Sequence, residues 1–136
     1  MLVQRAYVLR CPECQDPIAL PHQIPIETIG GLPHLTKGIW PLTYWCENCA
    51  TLSVHREEDA RLVGVEVQAQ SPYAEILWVI EFECGPEGYE KQFSIYTKRL
   101  AIPLEDGAAQ RVIGLSGLCE GFPLRRLRTS RFLPIQ

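Results

Sequence analysis

Two cysteine pairs with the same spacing, Cys11–Cys14 (CPEC) and Cys46–Cys49 (CENC), are the residues of this 136-residue chain best suited to chemistry. Each pair places two sulfurs one tight turn apart, and two such turns supply four thiolates. Four thiolates are the donor set of a closed, tetrahedral metal site, most simply a zinc site. We expect a cytoplasmic location, because thiols stay reduced there and such pairs bind metal more often than they form disulfides. Disulfides and buried, unliganded thiols are the alternatives.

Strands are expected on both sides of each pair. An apolar run at 7–10 enters Cys11, and residues 18–20 follow Cys14. Residues 42–45 enter Cys46, and residues 50–54, which alternate apolar with polar, leave Cys49. Thr, Tyr, Trp and Val favour a pleated surface. The pattern predicts a strand, a cysteine turn and a second strand, twice over.

This arrangement resembles the zinc-ribbon superfamily, whose members carry two CxxC knuckles on β-hairpins. The resemblance covers about residues 5–54 and implies a structural site of four ligands: Cys11, Cys14, Cys46 and Cys49. Many ribbon and rubredoxin knuckles have glycine after the second cysteine, where this chain has Gln15 and Ala50, so the turn must form without glycine's tolerance of positive φ. The gap of 31 residues between the pairs also exceeds the common spacing of about 15–20. Zinc is the favoured metal, and iron, as in rubredoxin, is the alternative.

The rest of the chain reads as mostly β, with little helix. Residues 21–41 contain four prolines and three glycines, which favour short strands turning at Gly30-Gly31. Three alternating runs, at 63–69, 76–84 and 93–97, predict an antiparallel meander. Residues 111–113 are interpreted as a further strand. We therefore predict a zinc-ribbon-like module at 1–56 packed on a meander at 60–115, with an Arg-rich tail at 116–136, or one compact domain overall.

Charge is unevenly placed in the chain, whose net charge is −3. Residues 1–110 carry 8 Lys/Arg against 15 Asp/Glu, whereas residues 111–136 carry 5 Arg against one Glu. The tail interleaves Arg with apolar residues, so its candidate nucleic-acid contacts are Arg125, Arg126, Arg128 and Arg131. An edge strand guarded by charge has the same pattern, and so does a tail that docks on the acidic body of its own chain.

No catalytic residue is predicted. His55 is interpreted as a surface residue of a charged connector, and His22 or His34 is an alternative metal ligand. Cys84 is expected to pack as a small hydrophobe at the end of a strand, and Cys119 to lie in a glycine-flanked loop. Whether either thiol is reactive depends on neighbours that the sequence does not show.

The favoured function is a zinc-stabilised binding module with a protein partner. Nucleic-acid binding through the knuckles and the Arg-rich tail is the first alternative, and rubredoxin-like electron transfer is the second. Enzymatic activity is disfavoured but left open. No run of about 18 apolar residues is present, so we expect no membrane partner. The oligomeric state is left open.

Overall fold

A computed structural model describes residues 3–20, 26–29, 32–35, 40–66, 76–98 and 106–132. Within these ranges it contains ten strands, one α-helix and a 3₁₀ turn at Glu57–Asp59. The longer elements are β1 (Val3–Arg10), β2 (Pro17–Ala19), β3 (Ile26–Ile29), β4 (Leu32–Leu35), β5 (Leu42–Cys46), β6 (Thr51–His55), β7 (Arg61–Glu66), β8 (Leu77–Cys84), β9 (Lys91–Thr97), α1 (Asp106–Ser116) and β10 (Arg125–Phe132). The prediction of a mostly β chain with little helix is confirmed.

The largest sheet has five strands in the order β10-β8-β9-β5-β6. Its neighbours are antiparallel except for β5 and β9, which run parallel and pair Thr43 with Ile95. Helix α1 covers one face of this sheet. The apolar cluster between them consists of Trp45, Trp78, Ile80, Phe82, Cys84, Ile95, Ala108, Ala109, Val112 and Ile113.

A three-stranded sheet, β2-β1-β7, packs against the opposite face. The second apolar cluster lies there and consists of Leu9, Cys11, Ile18, Leu20, Leu42, Tyr44, Cys46 and Leu77. Strand β5 belongs to both clusters, because successive side chains of a strand point to opposite faces. Tyr44 and Cys46 lie in the second cluster and Trp45 in the first. Strand β5 is therefore the central element that also carries half of the cysteine site.

The prediction of a strand at 111–113 is wrong, because these residues lie in α1. The pairs Ala108-Ala109 and Val112-Ile113 are four residues apart and all four side chains are buried. This spacing places them on one helical face. The helix spans only 11 residues and includes two glycines, so its apolar stripe is too short to stand out in the sequence.

The three alternating runs do not form one continuous meander. Strands β8 and β9 form the expected antiparallel hairpin, whereas β7 pairs with β1, placing Leu62 opposite Tyr7. Both larger sheets thus join strands from either side of the predicted boundary between residues 56 and 60. The division at this boundary stays a prediction.

Strands β3 and β4 form a separate antiparallel hairpin that pairs Ile29 with Leu32. The predicted turn at Gly30-Gly31 lies outside the described residues, as does the predicted extension of β7 over 67–69. Among the described residues, no helix is long and apolar enough to cross a membrane.

Cys84 and Cys119 form a disulfide that joins the end of β8 to the loop after α1. The positions of the two cysteines in the sequence do not by themselves indicate this pairing. Cys84 is buried in the first cluster, as expected, but it is covalently bonded there. Disulfides are rare in the cytoplasm, so this bond argues against the expected cytoplasmic location.

Candidate metal centre

The first cysteine turn lies between β1 and β2. The Gln15 N–H donates to the Cys11 carbonyl oxygen at 2.8 Å, and the Cys11 N–H donates to the Asp16 carbonyl oxygen at 3.1 Å. These two hydrogen bonds form a tight turn between β1 and β2, which are antiparallel and pair Arg10 with Pro17. The local sequence thus forms a knuckle that brings Cys11 and Cys14 to one side.

The second turn repeats the first between β5 and β6. The Ala50 N–H donates to the Cys46 carbonyl oxygen at 2.7 Å, and the next residue, Thr51, pairs with Cys46 in the strands. Gln15 has a φ of 63° and Ala50 a φ of 51°. Both residues therefore occupy the left-handed region, which costs an L-residue with a side chain about 1–2 kcal/mol. The chain makes the ribbon-type turn without glycine, and the cost falls on these two positions.

The two knuckles bring the four sulfurs together. All four lie within 4.8 Å of one another, with Cys11 Sγ 3.9 Å from Cys49 Sγ and Cys14 Sγ 3.7 Å from Cys46 Sγ. Four sulfurs at about 2.3 Å from a tetrahedral ion are separated by about 3.8 Å. The donor set and its spacing therefore fit a four-thiolate metal ion.

Burial and hydrogen bonding act in opposite directions on these thiols. Burial raises the pKa of Cys46, although a hydrogen bond from the Cys49 backbone opposes it. Burial also raises the pKa of Cys49 to about 12, and the sulfurs of Cys14 and Cys46 contribute to the rise. A hydrogen bond from the Asp16 backbone lowers the pKa of Cys14. Four thiolates at these distances repel one another, so the cluster favours a cation at its centre.

An ion pair ties the first knuckle to β9. The Nζ of Lys98 lies 3.0 Å from Asp16 Oδ2 and donates to the Pro17 carbonyl oxygen at 2.6 Å. Asp16 also supplies the backbone hydrogen bond to the Cys14 sulfur. Lys98 thus holds the segment that leaves the knuckle.

A second ion pair ties the other knuckle to α1. Glu47 lies between the two cysteines of its pair, and both of its carboxylate oxygens accept from one Arg111 nitrogen at 2.8 Å. The Trp45 indole N–H donates to the same carboxylate at 2.7 Å. Each knuckle is therefore anchored to a residue distant in sequence, and the sequence alone does not predict that Lys98 and Arg111 pair with these acids. Two charged residues that are far apart in the sequence leave no local pattern from which their pairing could be predicted.

The Arg-rich tail forms β10, at the edge of the five-stranded sheet. Its arginines pair with acidic residues of the neighbouring hairpin: Arg125 with Glu90 at 3.3 Å, Arg126 with Glu83 at 3.5 Å and Arg128 with Glu81 at 3.0 Å. Arg131 lies in the same strand, opposite Trp78.

Leu124 and Leu127 pack on the first apolar cluster. The structure thus shows both alternatives to nucleic-acid contact together: the tail is a charged edge strand, and its arginines pair with acidic residues of the same chain. Nucleic-acid contact by these arginines stays a prediction.

The interpretation of His55 as a surface residue is wrong. His55 ends β6 and is buried, with its Nε2 2.8 Å from Ser53 Oγ and its ring edge-on to Tyr44. Burial lowers its pKa. It is therefore a core side chain whose burial favours the neutral ring, and the charged connector begins one residue later. His22 lies outside the described residues, and of His34 only the strand placement in β4 is described.

Comparison with protein-family models, with curated proteins and with solved structures finds no match to this chain. The zinc-ribbon likeness therefore rests on the cysteine spacing and on the geometry of the two knuckles.

Proposed function

We propose that this chain is a non-enzymatic binding module for a protein partner, stabilised by a structural zinc ion at Cys11, Cys14, Cys46 and Cys49. The observation that carries the metal site is the convergence of four sulfurs from two separate hairpins within 4.8 Å. Four protein ligands complete a tetrahedral zinc site, whereas catalytic zinc keeps a position for water or substrate. This favours a structural role over a catalytic one.

A metal at this position supports the fold directly. Cys11 and Cys46 are each only 1% exposed and belong to the second apolar cluster. Structural zinc in small domains contributes about 10–16 kcal/mol of apparent binding free energy. The ion would thus join β1, β2, β5 and β6 at the point where the two larger sheets face each other.

The charge arrangement supports a protein partner over nucleic acid. Three of the tail arginines are paired with glutamates, and nucleic-acid binding requires cations that face phosphates. Large apolar side chains stand exposed at several places on the surface: Val54, Val63, Tyr89, Leu115 and Phe122. Of these, Val54 and Val63 line one cavity, and clustered exposed apolar surface is typical of protein-binding sites.

The metal is tested by elemental analysis of protein purified without added metal. We expect one zinc per chain, and we expect Cys11→Ser and Cys46→Ser to lose both metal and fold. Glu13→Gln, which changes an exposed residue of the first knuckle that offers no thiolate, is the matched control and should retain both metal and fold. Iron with visible absorption would instead support electron transfer, and a metal-free folded protein would overturn the zinc site.

The kind of partner is tested by comparing retention on DNA with retention of proteins from the native host. We expect weak DNA binding that is unchanged when Arg125, Arg126 and Arg128 become Ala, and a protein partner that the unfolded Cys11→Ser variant does not retain. Strong, salt-dependent DNA binding that falls in the triple variant would favour the nucleic-acid alternative.

A further inference from the structure

We propose that the free edge of β6, with the cavity beside it, receives an extended acidic segment of the partner protein, which adds to the five-stranded sheet as a further strand. This inference rests on the proposed protein-binding function and names the surface and the chemistry of the partner. Its support comes from the contrast between the two edges of the sheet and from the charges around the cavity.

The two edges of the five-stranded sheet are protected differently. Edge strand β10 carries four arginines and an irregular register between Arg125 and Arg128, with Arg126 at a φ of 54°. Charge and irregular pairing are the usual means of blocking strand addition. Edge strand β6, Thr51–His55, has no charged side chain, no proline and a continuous register with β5. Among the described strands of this sheet, β6 therefore presents the receptive edge.

A cavity of about 460 Å³ lies beside this edge. Among the described residues, the apolar ones that line it are Val8, Pro12, Val54 and Val63, and the polar ones are Arg10, His55, Asp59 and Arg61. Val54 is 63% exposed. Val54 and His55 are consecutive, so their side chains leave β6 on opposite sides. Both residues line the cavity together with residues of β1 and β7, so the cavity adjoins this edge strand, where an added strand would lie.

The charged side chains that line this cavity include two arginines, which favour a negatively charged ligand. Arg10 lies two residues from Val8, and Val8 pairs with Arg61, so the two arginines are diagonal neighbours on adjacent strands, with backbones about 7–8 Å apart. Neither forms an ion pair with a carboxylate of the described residues.

Each guanidinium is instead held by a backbone carbonyl. Arg10 donates to Gln15 O at 3.0 Å, and Arg61 donates to Glu58 O at 2.6 Å. Asp59 already accepts from the Arg56 backbone N–H at 2.9 Å. Two positioned cations with unused donors therefore suit a carboxylate brought by the ligand.

An extended segment that alternates apolar and acidic residues satisfies these features together. Its backbone would pair with β6, its apolar side chains would contact Val54 and Val63, and a carboxylate would lie between Arg10 and Arg61. Main-chain pairing supplies affinity in such strand addition, and the side-chain pockets supply specificity.

The test uses the metal-loaded full chain and three synthetic seven-residue peptides: alternating valine and glutamate, alternating valine and lysine, and the acidic peptide with a central proline. We expect the acidic peptide to bind at least about tenfold more tightly than the other two, a difference of about 1.4 kcal/mol. Hydrogen exchange followed by NMR should show new protection of amides within Thr51–His55.

The double variant Arg10→Gln/Arg61→Gln should lose the preference for the acidic peptide. The matched control, Arg126→Gln/Arg128→Gln, removes the same charge from the opposite edge strand, β10, and should not change the binding of the acidic peptide.

Several results would overturn the assignment: no binding at about 1 mM peptide, equal affinity for the acidic and basic peptides, insensitivity to the Arg10/Arg61 double variant, or protection at β10 instead of β6. Sedimentation of the protein alone addresses another occupant, because a dimer paired through β6 would show that the edge receives a second copy. If a captured protein partner binds while the peptides do not, this edge is not the binding site and the proposed function stands.

Discussion

The Nζ atom of Lys98, the residue directly after β9, lies 3.0 Å from the Oδ2 atom of Asp16, which directly follows the first cysteine knuckle. Both side chains are largely withdrawn from solvent, with exposures of 2% for Lys98 and 16% for Asp16. Lys98 Nζ also donates to the Pro17 carbonyl oxygen. A buried lysine is costly unless it is paired and hydrogen-bonded. This contact therefore makes the position of the first knuckle depend on the C-terminal end of β9.

Lys98→Met should destabilise the metal-loaded protein by about 3 kcal/mol, because it removes the cation from a largely buried carboxylate. Urea unfolding followed by tryptophan fluorescence measures the loss. The double variant Lys98→Met/Asp16→Asn should recover part of it, since the carboxylate is then removed as well. A double variant as unstable as the sum of the two single variants would show that the ion pair does not couple these residues.

Ala50→Gly should stabilise the protein by about 0.5–1 kcal/mol, because glycine adopts the left-handed backbone without the steric strain of a side chain. This gain is partly offset because glycine also raises the conformational entropy of the unfolded chain. Ala60→Gly is the matched control, since Ala60 has a φ of −76° and gains nothing from glycine. It should instead destabilise the protein by about 1 kcal/mol. Thermal unfolding of the metal-loaded variants distinguishes the two changes, and an equal loss at both positions would contradict the strain assigned to Ala50.

His55 should make the stability of the protein depend on pH below about 6.5. Burial lowers the pKa of His55 in the folded state, so the unfolded chain binds a proton more readily. The contribution of the neutral ring is present in full above the unfolded pKa of about 6.5, and it is lost as the pH falls from there towards the folded pKa.

His55→Gln should lower stability at pH 7.5, because it disturbs the contacts with Ser53 and Tyr44, but it should flatten the decline between pH 7 and 5.5. Urea unfolding at several pH values measures both effects. Parallel pH profiles for the two proteins would show that His55 is not the titrating group.

Cys119→Ser should destabilise the oxidised protein by about 3–4 kcal/mol, because the Cys84–Cys119 bond closes a loop of 35 residues in the unfolded chain. Thermal unfolding with and without a reductant that leaves the metal bound measures the effect. The reductant should lower the Tm of the parent protein and leave the variant unchanged. Thiol counting on the unfolded, metal-free protein should find four free cysteines in the parent chain, and six would show that the bond is not formed.

The local elements of the metal site followed from the sequence. The strands beside each cysteine pair are predicted because β-favouring residues flank the turns, and each knuckle closes with a backbone hydrogen bond to the carbonyl oxygen of its first cysteine. Gln15 and Ala50 stand where ribbon knuckles often have glycine, and the structure shows both residues with a left-handed backbone. Helix α1 was missed because two buried pairs four residues apart, within 11 residues, give a weak periodic signal.

The sequence by itself determined the two cysteine pairs, the strand–turn–strand knuckles and the mostly β composition, since each of these depends on residues within a few positions of one another. Only the tertiary structure decided that β7 pairs with β1, that β5 pairs with β9 and that Cys84 meets Cys119. It also decided that Arg125, Arg126 and Arg128 pair with glutamates, whereas Arg10 and Arg61 pair with no carboxylate of the described residues. Such contacts depend on which surfaces bury each other across many residues of chain, and a strand's alternating pattern specifies its faces but not its neighbours.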